Sequence, residues 1–521
     1  VGDRDAVLDL RGPSTQVLDL GSRLVLPGFQ DAHVHASAGG LERIRCDLSR
    51  VHGLDDYLGV IRAYADANPG DGWILGGGWA MDVFPGGVPT RDLLDAVVPD
   101  RPVFLSNRDH HAAWVNTRAL ELGGVTATTP DPADGRVERD AAGEAVGTLQ
   151  EGAMDLVQRV IPPNAVEEQV AGILEGQRYL HALGITAWQE AIVGDYAVTP
   201  DCYEAYLETE RRGLLTGRVV GALWWERGKG LAQLDGILER RARARDGRFR
   251  ATSVKIMHDG VVENGTAGML VPYLDGHGHP TGNLGLTYFG AEELIEATVR
   301  LDREGFQCHF HAIGDRAVRE VLDAIEAARA ANGPNDNRHH VAHLEFVHPE
   351  DVPRFAALGA TANAQALWAC RESQLEQLTL PFVDPARAEW IYPFGSIVRA
   401  GAGLCAGSDW PVSEPDVLQQ VHVAVNRLSP PRSTYASAHA GEEALLPEEA
   451  LTLEQAIAAF TIGSAGINHL EGETGTIEVG KAADLAVLSR DVFAHPAEEI
   501  GLAEVELTMV DGAVVHRASA L

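Results

Sequence analysis

The feature that most constrains this chain is an alternation, repeated along most of its length, of short apolar runs with stretches of helical period. RPVFLSN, GITAWQEA, GRVVGALWW, TSVKIMHDG, GFQCHFHAIGD, HHVAHLEF, GATANAQAL and GLCAGSDWP read as strands. VEEQVAGILEGQRYLHALG, GAEELIEATVRLDREG, AVREVLDAIEAARA, HPEDVPRFAALG and LTLEQAIAAFTIGSAG read as helices. Strand followed by helix, this many times, calls for parallel strands joined by crossover helices. Closed on itself, the pattern is an α/β fold of the (β/α)8 TIM-barrel type, whose chemistry gathers at the carboxyl ends of the strands.

Two stretches break the rhythm. VLDLRGPSTQVLDLGSRLVLPGF at the start, and TGTIEVGKAADLAVLSRDV through VELTMVDGAVVHR at the end, are β-type runs separated by turn residues. They are expected to form a small β-sandwich from both chain ends, residues 1–27 with 467–521, around a barrel spanning 28–466. The stretch from about 40 to 151 is rich in Gly, Pro and Trp and reads as an irregular insertion after the first barrel strand. Long insertions at that place shape pockets.

Partners are bounded by charge. Asp and Glu number 75 against 42 Lys and Arg, a net charge of -33, and such a field repels nucleic acid and anionic membranes. No apolar run is long enough to cross a bilayer, and VGDRDAVLDL is not a signal peptide. Cys46, Cys202, Cys308, Cys370 and Cys405 are odd in number and unpaired in spacing, which favours a reducing cytoplasm over a disulfide framework. The expectation is a cytoplasmic protein acting on a small molecule, with a homodimer as the open oligomeric state.

The sharpest chemical motif is PGFQDAHVHAS. Alternate residues of a strand share a face, so Asp31, His33 and His35 are expected to point the same way. Two imidazoles closing on one face can hold a metal; the bland alternative is a polar turn with two histidines. CHFHAIGD adds His309 and His311, HHVAHLEF adds His339, His340 and His343, and CAGSDWP places Asp409 after a buried strand. Singly each is ordinary. Together they bring imidazole and carboxylate to the ends of successive strands, a set suited to zinc and similar divalent ions. Lys255 lies inside an apolar strand, where lysine needs a partner: an ion pair with Asp259 or Glu151, or a CO2-derived carboxylate bridging two metals.

In these motifs the chain resembles the amidohydrolase superfamily, specifically its amidohydrolase-3 branch, which includes N-substituted formamide deformylase-like enzymes. VLPGFQDAHVH is similar to the first-strand signature and SVKIMHDG to the lysine strand. FHAIGDRAV, HHVAHLEF and AGSDWPV match later strands in order, and GDGWILGGGW, VPTRDLLDAVVPDRPVFL and HAAWVNTRAL resemble the branch-specific insertion. GTIEVGKAADLAVL is similar to the closing sandwich strands. The resemblance implies that His33, His35 and Asp409 bind the more buried of two zinc ions, and that carboxylated Lys255 bridges to a second held by His311 and His343; one ion is the alternative. His309 becomes a neighbour, and His111 and Glu151 face the substrate. Ala342 and Ala366 depart from the branch, which often has Glu and Pro there, and the chain is expected to begin partway into the N-terminal β-domain.

The function these residues imply is hydrolysis of an amide-type C–N bond other than a peptide bond, by a metal-activated hydroxide with Asp409 as proton shuttle. The alternatives are a lyase or isomerase on the same metal site, and a non-catalytic small-molecule binding protein. Trp79, Trp114, Trp368 and Trp410 are candidate pocket walls.

Overall fold

Eight parallel strands carry the molecule. In chain order they are β1 (Phe29–Val34), β2 (Ile185–Val193), β3 (Arg218–Trp224), β4 (Phe249–Met257), β5 (Gln307–Ala312), β6 (His340–His343), β7 (Thr361–Ala364) and β8 (Gly403–Ala406), each paired with the next. The computed structural model describes residues 1–196, 200–432 and 443–519. β1, β2, β5 and β6 are buried at every residue, as parallel strands are when helices cover one face and the barrel core fills the other. That is why they read as near-continuous apolar runs.

The helices between them bury one side each. Val166–Ala182 turns Val170, Ile173 and Leu180 inward. Asp315–Asn332 does the same with Val318, Val321, Leu322 and Ile325, the 3–4 spacing of an amphipathic helix.

Closure between β1 and β8 is made without a ladder among the described residues. Instead, the Asp409 amide donates to the His33 carbonyl at 2.7 Å, and the Asp31 carboxylate accepts the Ser408 amide at 3.0 Å. This seam is where the first and last thirds of the chain meet.

The sandwich expected from both chain ends is represented by a four-stranded antiparallel sheet in the order Leu24–Pro27, Leu485–Leu488, Val505–Val510, Ala513–Arg517. The earlier VLDL runs are not strands. Residues Arg4–Leu8 form a short helix, and Val7, Leu10 and Val17 are exposed, so their alternation buries no face.

The insertion is more regular than its glycines suggest. It forms a six-stranded mixed sheet, Cys46–Asp47, Ile74–Trp79, Val103–Asn107, Ala112–Val115, Ala145–Glu151 and Gly135–Arg139 in spatial order. RPVFLSN therefore belongs here and not to the barrel. Tyr57, Trp79, Phe84, Leu105 and Trp114 pack on one side of this sheet, and Phe104, Val115, Leu149 and Val157 on the other. Trp79 and Trp114 are fully buried in that core, so neither walls a pocket.

Candidate metal centre

β1 ends at Val34, and the chain turns into the helix Ala36–Ile44 with His35 at its N-cap. His33 and His35 leave the backbone from different conformations yet reach one point: both Nε2 atoms lie 3.1 Å from Asp409 Oδ1. The register of β1 against β2 slips between Asp31 and Val34, and irregularities of this kind re-aim side chains beside active sites. Asp409 has φ +58°, uncommon for a residue with a Cβ. Two residues earlier, a Cβ on Gly407 would stand 2.4 Å from the His33 amide nitrogen; only glycine lets β8 approach β1 this closely.

Asp31 does not share their direction. Its carboxylate accepts the amides of His33 at 3.0 Å and Ser408 at 3.0 Å, so it ties the two strand ends together. Burial pushes this carboxyl up to about 7, against the pull of the Ser408 and His33 hydrogen bonds.

The other donors come from β4, β5 and β6. The His343 ring lies 4.4 Å from His311 and 4.8 Å from His33, centre to centre, with His343 Nδ1 3.7 Å from Asp409 Oδ2. His343 is also left-handed, φ +79°; backbone strain of this kind concentrates at functional positions. Lys255 is buried, and burial pushes its ammonium down to about 7, with Asp409 pulling the other way. The ion pair considered from the sequence is not formed. Asp259 is engaged by His311 and Glu151 by His111, and no carboxylate among the described residues lies within ion-pair distance of Lys255. His309 stands behind His33, Nε2 to Nδ1 at 2.7 Å, with the His340 ring 4.0 Å beyond. His339 is held away from the centre by Asp302 at 2.9 Å.

A cavity opens over these groups, walled by Ile192, Tyr196, Met257, Val261, Trp368 and Val412, with His110 and His111 on the insertion's side. Trp368 stacks on His343 at 5.6 Å. Trp410 instead packs against Tyr179 in the core. Glu151 holds His111 Nδ1 at 2.9 Å and accepts the Thr266 hydroxyl at 2.7 Å. Burial opposes charge on both partners, yet the Glu151 charge and hydrogen bond push His111 up to about 9, while His111 lowers Glu151. With the folded-state His111 value above the ordinary 6.5 and Glu151 below the ordinary 4.5, the pair's contribution to stability is complete between pH 4.5 and 6.5 and is lost as pH rises through about 9. Thermal unfolding followed across that interval should show the decline, and Glu151→Gln should flatten it. Equal slopes in both proteins would contradict the pair.

The sequence model of the amidohydrolase family matches residues 16–516. The chain belongs to the amidohydrolase family. This amidohydrolase is 29% identical to protein LONG AFTER FAR-RED 3 of Arabidopsis thaliana, over 96% of its own length and 84% of that protein. It is 28% identical to N-substituted formamide deformylase of Arthrobacter pascens, over 98% and 92% respectively. The crystal structure of a metal-dependent hydrolase from Pyrococcus horikoshii OT3 superposes with a TM-score of 0.71 at 25% identity, covering 95% of this chain and 91% of that one.

The residues of the amidohydrolase fit a divalent metal ion. His33 Nε2, both ring nitrogens of His343 and Asp409 Oδ1 are buried and make no hydrogen bond of acceptable geometry, a state that costs about 1–3 kcal/mol per atom when nothing else engages it. Burial pushes His33 down to about 3, and His311 and His343 well below their ordinary range. These imidazoles are therefore neutral with lone pairs free, and neutral imidazole beside carboxylate is divalent-cation chemistry. Sequence reasoning gave no role to Glu190, which accepts Ser37 Oγ at 3.0 Å beside the centre, or to His110, 3.1 Å from Glu42. Neither lies in a recognisable motif.

Proposed function

We propose that this amidohydrolase cleaves an amide-type C–N bond, N-acyl, N-formyl or related, in a small molecule, using one or two divalent ions, zinc foremost. The observation that carries this reading is the convergence of donor atoms from His33, His35 and Asp409 within 4.8 Å of one another, with His311, His343 and Lys255 alongside. The likeness to N-substituted formamide deformylase supports the formyl end of that range.

His33, His35 and Asp409 would hold the more buried ion, and His311 and His343 the second. Lys255 would bridge them as a carbamate: its neutral amine adds CO2, forming an N–C bond and releasing a proton to water. Its burial, and a pKa pushed down to about 7, keep neutral amine available for this. A bound divalent ion lowers the pKa of coordinated water to about 7 and polarises a carbonyl. Asp409 takes the proton of the attacking water and passes it to the departing amine nitrogen. Charged His111, held by Glu151, donates to the carbonyl oxygen as negative charge grows there.

The decisive experiment follows amine release from N-formyl, N-acyl and carbamate compounds with native, chelated and zinc-restored protein. Native protein should carry one to two equivalents of a divalent ion, chelation should abolish turnover, and zinc should restore it. In 18O water the acid product should take up one label, which a lyase or isomerase would not give. Metal-free protein with turnover untouched by chelators would sink the proposal.

A further inference from the structure

Asp259 lies two residues past the end of β4 and is fully buried. Among the described residues, every hydrogen-bond partner of its carboxylate is a nitrogen: the Gly268 amide at 3.0 Å and the Gly314 amide at 2.9 Å on Oδ2, with the Ile313 amide at 3.0 Å and His311 Nδ1 at 3.0 Å on Oδ1. Three of these are backbone N–H groups, which can only donate. Burial pushes this carboxyl up to about 7 against the pull of those amides, but four donors fill the lone pairs of the ionised form and leave no acceptor for a carboxyl proton, so His311 Nδ1 completes the set as a donor.

The consequence falls on the other side of the ring. An imidazole that donates from Nδ1 keeps its lone pair on Nε2. The surroundings leave it little freedom to do otherwise. The amides of Arg316 and Ala317 at the start of the helix Asp315–Asn332 both donate to the Gly268 carbonyl, and a Cβ on Gly314 would stand 2.2 Å from that same oxygen. The loop carrying Gly268, the turn carrying Ile313 and Gly314, and the end of β4 are thus drawn onto one carboxylate. Lys255 is on β4 and His311 on β5, so the group joins the two strands of one half of the centre.

We infer that Asp259 is the positioning residue of this half: it fixes His311 as the Nδ1–H tautomer and presents Nε2 toward the metal. It has a counterpart in Asp31, which joins β1 to β8 behind His33, His35 and Asp409. Each half of the centre is therefore set by its own buried carboxylate. The inference rests on the reading of His311 as a ligand, and the test separates the two.

In metal-free native protein, 15N NMR of the histidine rings should show His311 with its proton on Nδ1, and Asp259→Asn should move it to a mixture or to Nε2–H. Zinc affinity of the refilled protein should fall about 10- to 100-fold in Asp259→Asn. Asp302→Asn, which removes the acid at the His339 ring, away from the centre, is the control: it should lower the melting temperature and leave zinc affinity unchanged. An Nε2–H tautomer in the native protein overturns the inference. Lost zinc affinity in His311→Ala with undiminished affinity in Asp259→Asn overturns it alone. Full zinc affinity in His311→Ala overturns the ligand reading and the inference with it.

Discussion

Asp409→Asn is expected to lower turnover about 10²- to 10⁴-fold, the loss that follows removal of a general acid–base, and by more than it lowers metal content. The geometry says why one residue bears both effects. Oδ1 lies 3.1 Å from the Nε2 atoms of His33 and His35, while Oδ2 is 3.7 Å from His343 Nδ1 on the cavity side. An amide keeps one coordinating oxygen and cannot accept a proton. Metal content and kcat should therefore be measured on the same preparation. Turnover falling only in proportion to metal would make Asp409 a ligand alone, and undiminished turnover would assign the proton transfer elsewhere, His343 and His111 being next in reach.

Lys255→Ala should cost about one of two metal equivalents per chain, since a two-metal site loses its bridge, and turnover should fall with it. A short carboxylic acid such as acetate can enter the space left by the side chain and supply two oxygens, so part of the turnover should return in its presence. Crystallographic density at Nζ is the direct check. An unmodified lysine in active, fully metallated protein would overturn the carbamate.

Much of the fold was legible in the sequence because a parallel barrel strand is buried on both faces, and its apolar run stops where the candidate ligands begin. The same logic misplaced RPVFLSN. The insertion sheet is also covered on both faces, by its own two cores, so its strands look like barrel strands. Tryptophans were ambiguous for a related reason: Trp79, Trp114 and Trp368 are equally apolar, and only packing decides that Trp368 alone of the three meets the cavity. Asp31 stood in the motif, but its partner is a backbone amide from the far end of the chain. Asp259 was visible only as a possible partner for Lys255. Its real contacts are backbone amides and one ring nitrogen brought in by β5, and no spacing rule encodes those. The left-handed turns at His343 and Asp409 leave no mark on residue type either.

The seam has a consequence in time. Asp31 and Ser408 are 377 positions apart, and a ribosome adds roughly 5–20 residues each second. The leading histidine strand thus emerges some 20–75 s, in order of magnitude, before the segment that completes its site. Throughout that interval the end of the first barrel strand offers an ion His33 and His35 but no Asp409. Under the proposed ligand set, the three-residue site is complete only once Asp409 has been made and has folded back onto the first strand, and the free-ion level from then on governs how much of the protein becomes active.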